Sequence, residues 1–199
     1  MQVIFTIPLD LSNSPPLDHR EGSSVIGLPS PRALRAHLFP GVRIGANPLI
    51  GKNSIIYSNV CIGNHFSCGD RVLVREDTVI GNSVTIQNCC CIGSGVTIAD
   101  STLLEEDVSL PHSATIGSGV VIGPGVRFLR ADDIPQPVPE TRPAITIGDG
   151  CIIGAGAVLY PGICIGEGAY IADRTVVTGH VPPRTFVSGS PMRCRPRND

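Results

Sequence analysis

The chain has 199 residues, enough for one ordinary domain with a small terminal extension. Lys plus Arg total 15 and Asp plus Glu total 17, so the net charge is −2 and no basic field exists to hold a nucleic-acid backbone or an anionic membrane surface. With 42% hydrophobic and 16% charged residues the chain is not disordered, and no apolar run approaches the roughly 20 residues that a spanning helix needs.

Aromatic residues make up only 4% and Trp is absent, while Gly reaches 23 and Pro 18. Such a chain builds its core from small aliphatic side chains and turns tightly and often. The N-terminal stretch from Met1 to Ile7 lacks a basic region and a long apolar core, so no secretory signal is read and a cytoplasmic location is expected. The eight cysteines fit that compartment. Cys89, Cys90 and Cys91 are contiguous, and no Cys-x-x-Cys occurs. They are expected to be small buried hydrophobes, with no metal site and none partnering a histidine.

In chain order, residues 1–40 form an N-terminal cap segment. Pro15-Pro16 and Glu21 to Ser24 look like loop, and Ser30 to Leu38 predicts a short helix with Ser30 as its cap and Pro31 in its first turn. Residues 41–190 then carry a repeat. An aliphatic position recurs every six residues, at fifteen positions from Ile44 to Phe128 and six more from Ile147 to Val177, with Cys68 among the members. The next residue is often Gly, as at Gly51, Gly81 and Gly154, and four after each aliphatic sits a small or branched residue such as Ser54, Val84 or Ala157.

A period of six fits neither a helix nor a lone strand. It fits a short strand followed by a turn in which Gly relieves the tight backbone. Stacked coil upon coil, such strands form an all-β, parallel β-helix. With three strands per coil the repeats make about seven triangular coils, roughly 34 Å long at the spacing of neighbouring strands.

One interruption breaks the rhythm. Phe128 and Ile147 are nineteen positions apart where six would do, which marks an inserted loop over about residues 129–144. Loops on rigid scaffolds are where sites are built. Positions eighteen apart share a corner, so Val74, Ile92, Leu110 and Phe128 stack, with Leu159 and Val177 after the loop. His112 then lies one coil from Arg130 at the loop root. A neutral imidazole suits removal of a proton from an amine or hydroxyl, so His112 is the candidate general base. Residues 191–199 form a short basic C-terminal tail containing Arg193, Arg195 and Arg197.

Over about residues 41–193 the pattern resembles the hexapeptide-repeat ("isoleucine patch") acyltransferases, and that resemblance implies the left hand of the helix. Gly81-Asn82-Ser83-Val84-Thr85-Ile86-Gln87-Asn88 and Leu104-Glu105-Glu106-Asp107 look most like the nucleotide-linked amino-sugar N-acetyltransferases. This implies a role for Asn88 in orienting a sugar or acetyl group. The stretches Thr146 to Ala157 and Val181 to Arg193 are similar to the family's acetyl-CoA-binding coils and closing motif. By that likeness Gly154, Ala155 and Ala172 let a pantetheine arm lie flat, while Arg174, Arg142, Ser190 and Arg193 meet the rest of the cofactor. The resemblance further implies a homotrimer with sites at subunit boundaries, a sugar-like acceptor and direct attack on the thioester. The rival readings are a non-catalytic scaffold subunit and an acyltransferase that uses a different acyl donor.

Overall fold

A computed structural model describes residues 24–36, 41–130 and 144–197. Among them, the repeat folds as twenty-one short strands, from β2 (Arg43–Ile44) to β22 (Val176–Val177). Three parallel sheets result, because each strand pairs with the strand three further on. The first sheet includes β10 (Cys91–Ile92), β13 (Ser109–Leu110), β16 (Arg127–Phe128) and β19 (Val158–Leu159). The expected register holds through the insertion, with Ile92 opposite Leu110 and Phe128 opposite Leu159. The fold is the left-handed parallel β-helix of about seven coils that the repeat and its resemblance imply.

Each strand turns its second residue inward. Ile86, Ile92, Leu104, Ile122 and Leu159 are fully buried, and each stacks on its equivalent in the next coil. The turn that follows has a fixed grammar. Its third residue adopts a left-handed conformation, every six positions, as at Asn59 (φ 59°), Asp77 (φ 61°) and Ser113 (φ 57°). Asn and Asp tolerate that region better than other side chains.

The glycines directly after the strands serve a different purpose from the one expected. They are not left-handed; they are places where the next coil comes too close for a side chain. A Cβ on Gly51 would lie 2.3 Å from the carbonyl carbon of Gly69, and one on Gly154 would lie 2.4 Å from Asp173 Oδ1.

The inward turn position mixes apolar and polar side chains. Ser54 Oγ donates to the Gly69 carbonyl (3.0 Å), Thr78 Oγ1 to Gly93 (3.1 Å) and Thr102 Oγ1 to Gly117 (2.7 Å). Each reaches the carbonyl fifteen residues on, in the coil above. Thr175 is the exception: its Oγ1 is buried without a hydrogen-bond partner. The coil above it is shorter, with Ile171 opposite Val187, sixteen residues away rather than eighteen. Thr175→Val keeps the shape and removes the orphaned hydroxyl, so it is expected to stabilise the fold by about 1 kcal/mol. Urea denaturation of the two proteins checks this.

Three of the cysteines are buried as expected: Cys68, Cys90 and Cys151. Burial pushes the thiols of Cys68 and Cys90 up to about 11 and raises that of Cys151. The other five are partly or fully exposed, because they fall on outward strand positions or on turns.

Both ends of the helix are finished by segments outside the repeat. β1 (Val25–Leu28) pairs in parallel with β4 (Ile55–Tyr57), extending the first sheet by one strand and covering its open edge. α1 (Pro31–Ala36) follows, with the Leu34 amide donating to the Ser30 carbonyl as the predicted cap requires. At the other end the sequence suggested a tail. Here β24 (Arg193–Pro196) folds back antiparallel on β23 (Thr185–Ser188). The physical reason is a row of cations over rings: Arg195 lies 4.4 Å from the Phe186 centroid and Arg197 5.8 Å from that of Tyr170, and the two rings stack at 5.3 Å.

Candidate active site

His112 sits in the turn after β13, two residues past the inward Leu110. Equivalent turns elsewhere carry Asn or Asp at this place, and their side chains form a ladder between coils. Asn64 Oδ1 accepts the Ala46 amide (2.8 Å), Asn82 that of Asn64 (2.9 Å), and Asp149 that of Ser118 (2.8 Å). His112 occupies the same rung position. Its Nδ1 lies 3.2 Å from the Ser94 amide nitrogen, which donates to it, and 2.8 Å from Ser94 Oγ.

Beside this ring is a cavity of about 140 Å³, lined by Arg75, Cys91, Pro111, His112, Phe128 and Arg130 among others. The structure therefore brings His112 and the loop-root Arg130 together, as the eighteen-residue spacing predicts. Arg75 is fixed on the cavity wall. It makes two hydrogen bonds to Glu76 (2.8 and 2.9 Å), and its guanidinium lies 5.0 Å over the Tyr57 ring. The hydrogen bonds from Arg75 hold the Glu76 carboxyl below the usual carboxylate range, and His112 adds a smaller pull in the same direction. An imidazole flanked by two guanidinium groups suits chemistry in which an oxygen or sulfur gains negative charge.

Sequence reasoning did not place Arg75, Ser94 or Cys91 at the site. The signal was available, since Ser94 is eighteen residues before His112 and Cys91 eighteen before Ser109. Cys91 also corrects the expectation that no cysteine accompanies a histidine, because the outward face of β10 turns it into the cavity that His112 lines.

The other predicted residues lie on a different edge of the prism. Asn88 follows β9 (Thr85–Ile86), in the third sheet, and its Oδ1 accepts the Asp70 amide at 2.9 Å. Within one chain it is not beside His112. Gly154 and Ala155 follow β18 (Ile152–Ile153), and Ala172 and Arg174 follow β21 (Tyr170–Ile171), which pairs with it. Ser190 and Arg193 belong to the hairpin that closes the same sheet. Six of the seven expected acetyl-CoA residues thus share one edge. Arg142 lies outside the described residues.

That edge is tightly packed. Asp173 Oδ1 accepts the Ala155 amide at 3.0 Å and fills the space over Gly154, so coil stacking by itself requires a glycine there. Of the remaining histidines, His65 is exposed at a left-handed turn position, and His180 Nδ1 accepts the Cys164 amide at 2.9 Å. Among the described residues no three His, Cys, Asp or Glu side chains are grouped to hold a metal, and no helix is long and apolar enough to cross a membrane.

Residues 144–179 match the family described as bacterial transferase hexapeptide, six repeats. The coils after the loop are thus similar to transferase hexapeptide repeats. A 2,3,4,5-tetrahydropyridine-2,6-dicarboxylate N-acetyltransferase of Staphylococcus aureus is 38% identical over 55 residues, 28% of this chain and 23% of that protein. A chloramphenicol acetyltransferase of Morganella morganii is 45% identical over 47 residues, 24% of this chain and 22% of that protein. The chain spans only about a quarter of the length of the curated relatives that it matches.

Among solved structures, LpxA, a UDP-N-acetylglucosamine acyltransferase from Bacteroides fragilis, superposes with a TM-score of 0.57 at 19% identity, over 77% of this chain and 69% of that one. The UDP-N-acetylglucosamine acyltransferase from Campylobacter jejuni gives a TM-score of 0.51 at 13% identity, over 92% of this chain and 74% of that one. At these identities the likeness is one of fold.

Proposed function

We propose that this chain is an acetyl-CoA-dependent acetyltransferase acting on an amine or hydroxyl of a sugar-like small molecule, with a nucleotide-linked amino sugar favoured. The observation that carries the reading is the cavity where His112, Arg75 and Arg130 meet at the root of the one insertion in the repeat. The hexapeptide match over residues 144–179 and the acetyltransferase names of the relatives support the reaction type.

In the proposed reaction the acceptor nitrogen or oxygen attacks the thioester carbonyl carbon. The new C–N or C–O bond forms, the C–S bond breaks, and the proton released by the acceptor passes to His112 Nε2 and on to the CoA sulfur. Arg75 and Arg130 stabilise the negative charge that builds up on the way. Because Asn88 and the edge of Gly154 and Arg174 lie away from His112 in a single chain, a cyclic homotrimer that sets one copy's edge against another's cavity completes the site.

One observation favours a non-catalytic solenoid instead: His112 and Asn88 both serve as ladder acceptors, so each has a structural reason to be present. Calorimetric titration with CoA separates the two readings. The enzyme is expected to bind CoA with a Kd of about 1 mM or tighter and to release free thiol from acetyl-CoA with one member of a panel of nucleotide amino sugars. Absence of CoA binding by the assembled protein at millimolar concentration favours the scaffold, whereas weak CoA binding with turnover from an acyl carrier protein marks an acyltransferase that uses a different donor.

A further inference from the structure

We propose that Ser94 is a positioning residue whose hydroxyl decides which nitrogen of His112 carries the proton, and so makes Nε2 available as an acceptor. The inference rests on the reading of His112 as the proton carrier and names the group that lets it act.

The argument begins with the ladder. Seven Asn or Asp side chains (Asn64, Asp70, Asn82, Asn88, Asp100, Asp149 and Asp173) accept the amide of the preceding coil at 2.6 to 3.0 Å. An oxygen acceptor there has no choice to make. An imidazole does. A backbone N–H can only donate, so the Ser94 amide holds a lone pair on Nδ1 and leaves the neutral ring's proton on Nε2. In that form Nε2 cannot take a proton from an acceptor.

The amide bond to His112 is the longest of the series at 3.2 Å, while Ser94 Oγ is closer at 2.8 Å. A hydroxyl both donates and accepts. By rotating about its C–O bond it exchanges Oγ–H to Nδ1 for Nδ1–H to Oγ, and in the second arrangement the lone pair is on Nε2. The ring need not move. Ser94 is only half-buried and His112 is exposed, so water takes over the amide when Nδ1 is protonated. During turnover Nε2 gains the acceptor's proton, Nδ1–H stays on Ser94 Oγ, and the Nε2 proton leaves with the CoA sulfur. The ring ends as it began.

The test uses the full chain labelled with nitrogen-15 at histidine, and reads the His112 tautomer by NMR beside steady-state kinetics. In the wild type a measurable share of the neutral ring is expected to carry its proton on Nδ1. Ser94→Ala keeps the amide and deletes the hydroxyl, so that share is expected to vanish. Its kcat is expected to fall roughly tenfold or more with the KM for acetyl-CoA unchanged. Ser94→Thr restores the hydroxyl, and with it both the tautomer and the rate. An identical tautomer ratio in wild type and Ser94→Ala overturns the proposal, and so does a loss of rate without a tautomer change. Full turnover by His112→Asn overturns instead the proton-carrier reading, and leaves the tautomer result standing by itself.

Discussion

His112→Asn is expected to lower turnover by roughly 10²–10⁴-fold, the usual contribution of a positioned acid–base group, while the fold is left intact. The choice of Asn follows from the ladder. Asn64, Asn82 and Asn88 already do structurally what His112 does, accepting the amide of the coil before. An Asn at 112 therefore keeps a partner for the Ser94 amide and removes only the proton chemistry. His112→Ala removes both, and the amide lost from the ladder costs at most about 1 kcal/mol because water reaches this corner. The pair of variants thus separates the two roles of one side chain. Steady-state rates with acetyl-CoA are measured beside melting temperatures. If Asn at 112 supports the wild-type rate, the ring is a ladder rung and nothing more.

The dual role of that position also explains what could be read without coordinates. A six-residue period maps onto this fold with almost no freedom, because stacking makes each coil repeat the register of the last. Hence Ile92, Leu110, Phe128 and Leu159 align even across an insertion. The same arithmetic placed His112 near Arg130. Applied in the other direction it would have reached Ser94 and Glu76, but serine and an Arg-Glu pair carry no chemical signal until the ring beside them is in view.

Other features depended on distances between coils. A glycine after a strand looks like a turn residue in the sequence. Only the 2.3 Å from its missing Cβ to Gly69 shows that Gly51 answers to the neighbouring coil. The closing hairpin had no periodic signature at all. It forms because Arg195 and Arg197 find Phe186 and Tyr170 across the third sheet, a pairing that no spacing rule contains.

The core holds one residue that composition argued against, and it sets the second large expectation. Phe66 is fully buried at the inward turn position, in the column where later coils carry Val84, Thr102, Val120, Cys151 and Ala169. Near it, the inward Ile44 and Ile50 of the first coil are only partly buried and pack against the core. Phe66→Ala is expected to destabilise the protein by roughly 3–5 kcal/mol, since the rigid coils cannot close over the space. Each coil in a solenoid contacts only its neighbours, so the loss does not spread evenly. Hydrogen exchange is expected to quicken from Arg43 to about Val74, while the coils from Ile92 onward, which hold His112, keep their protection. Uniform loss of protection would mean that the coils unfold as one unit. A change below about 1 kcal/mol would mean that the first coils collapse freely onto the vacancy, and that the inward column there is not close-packed.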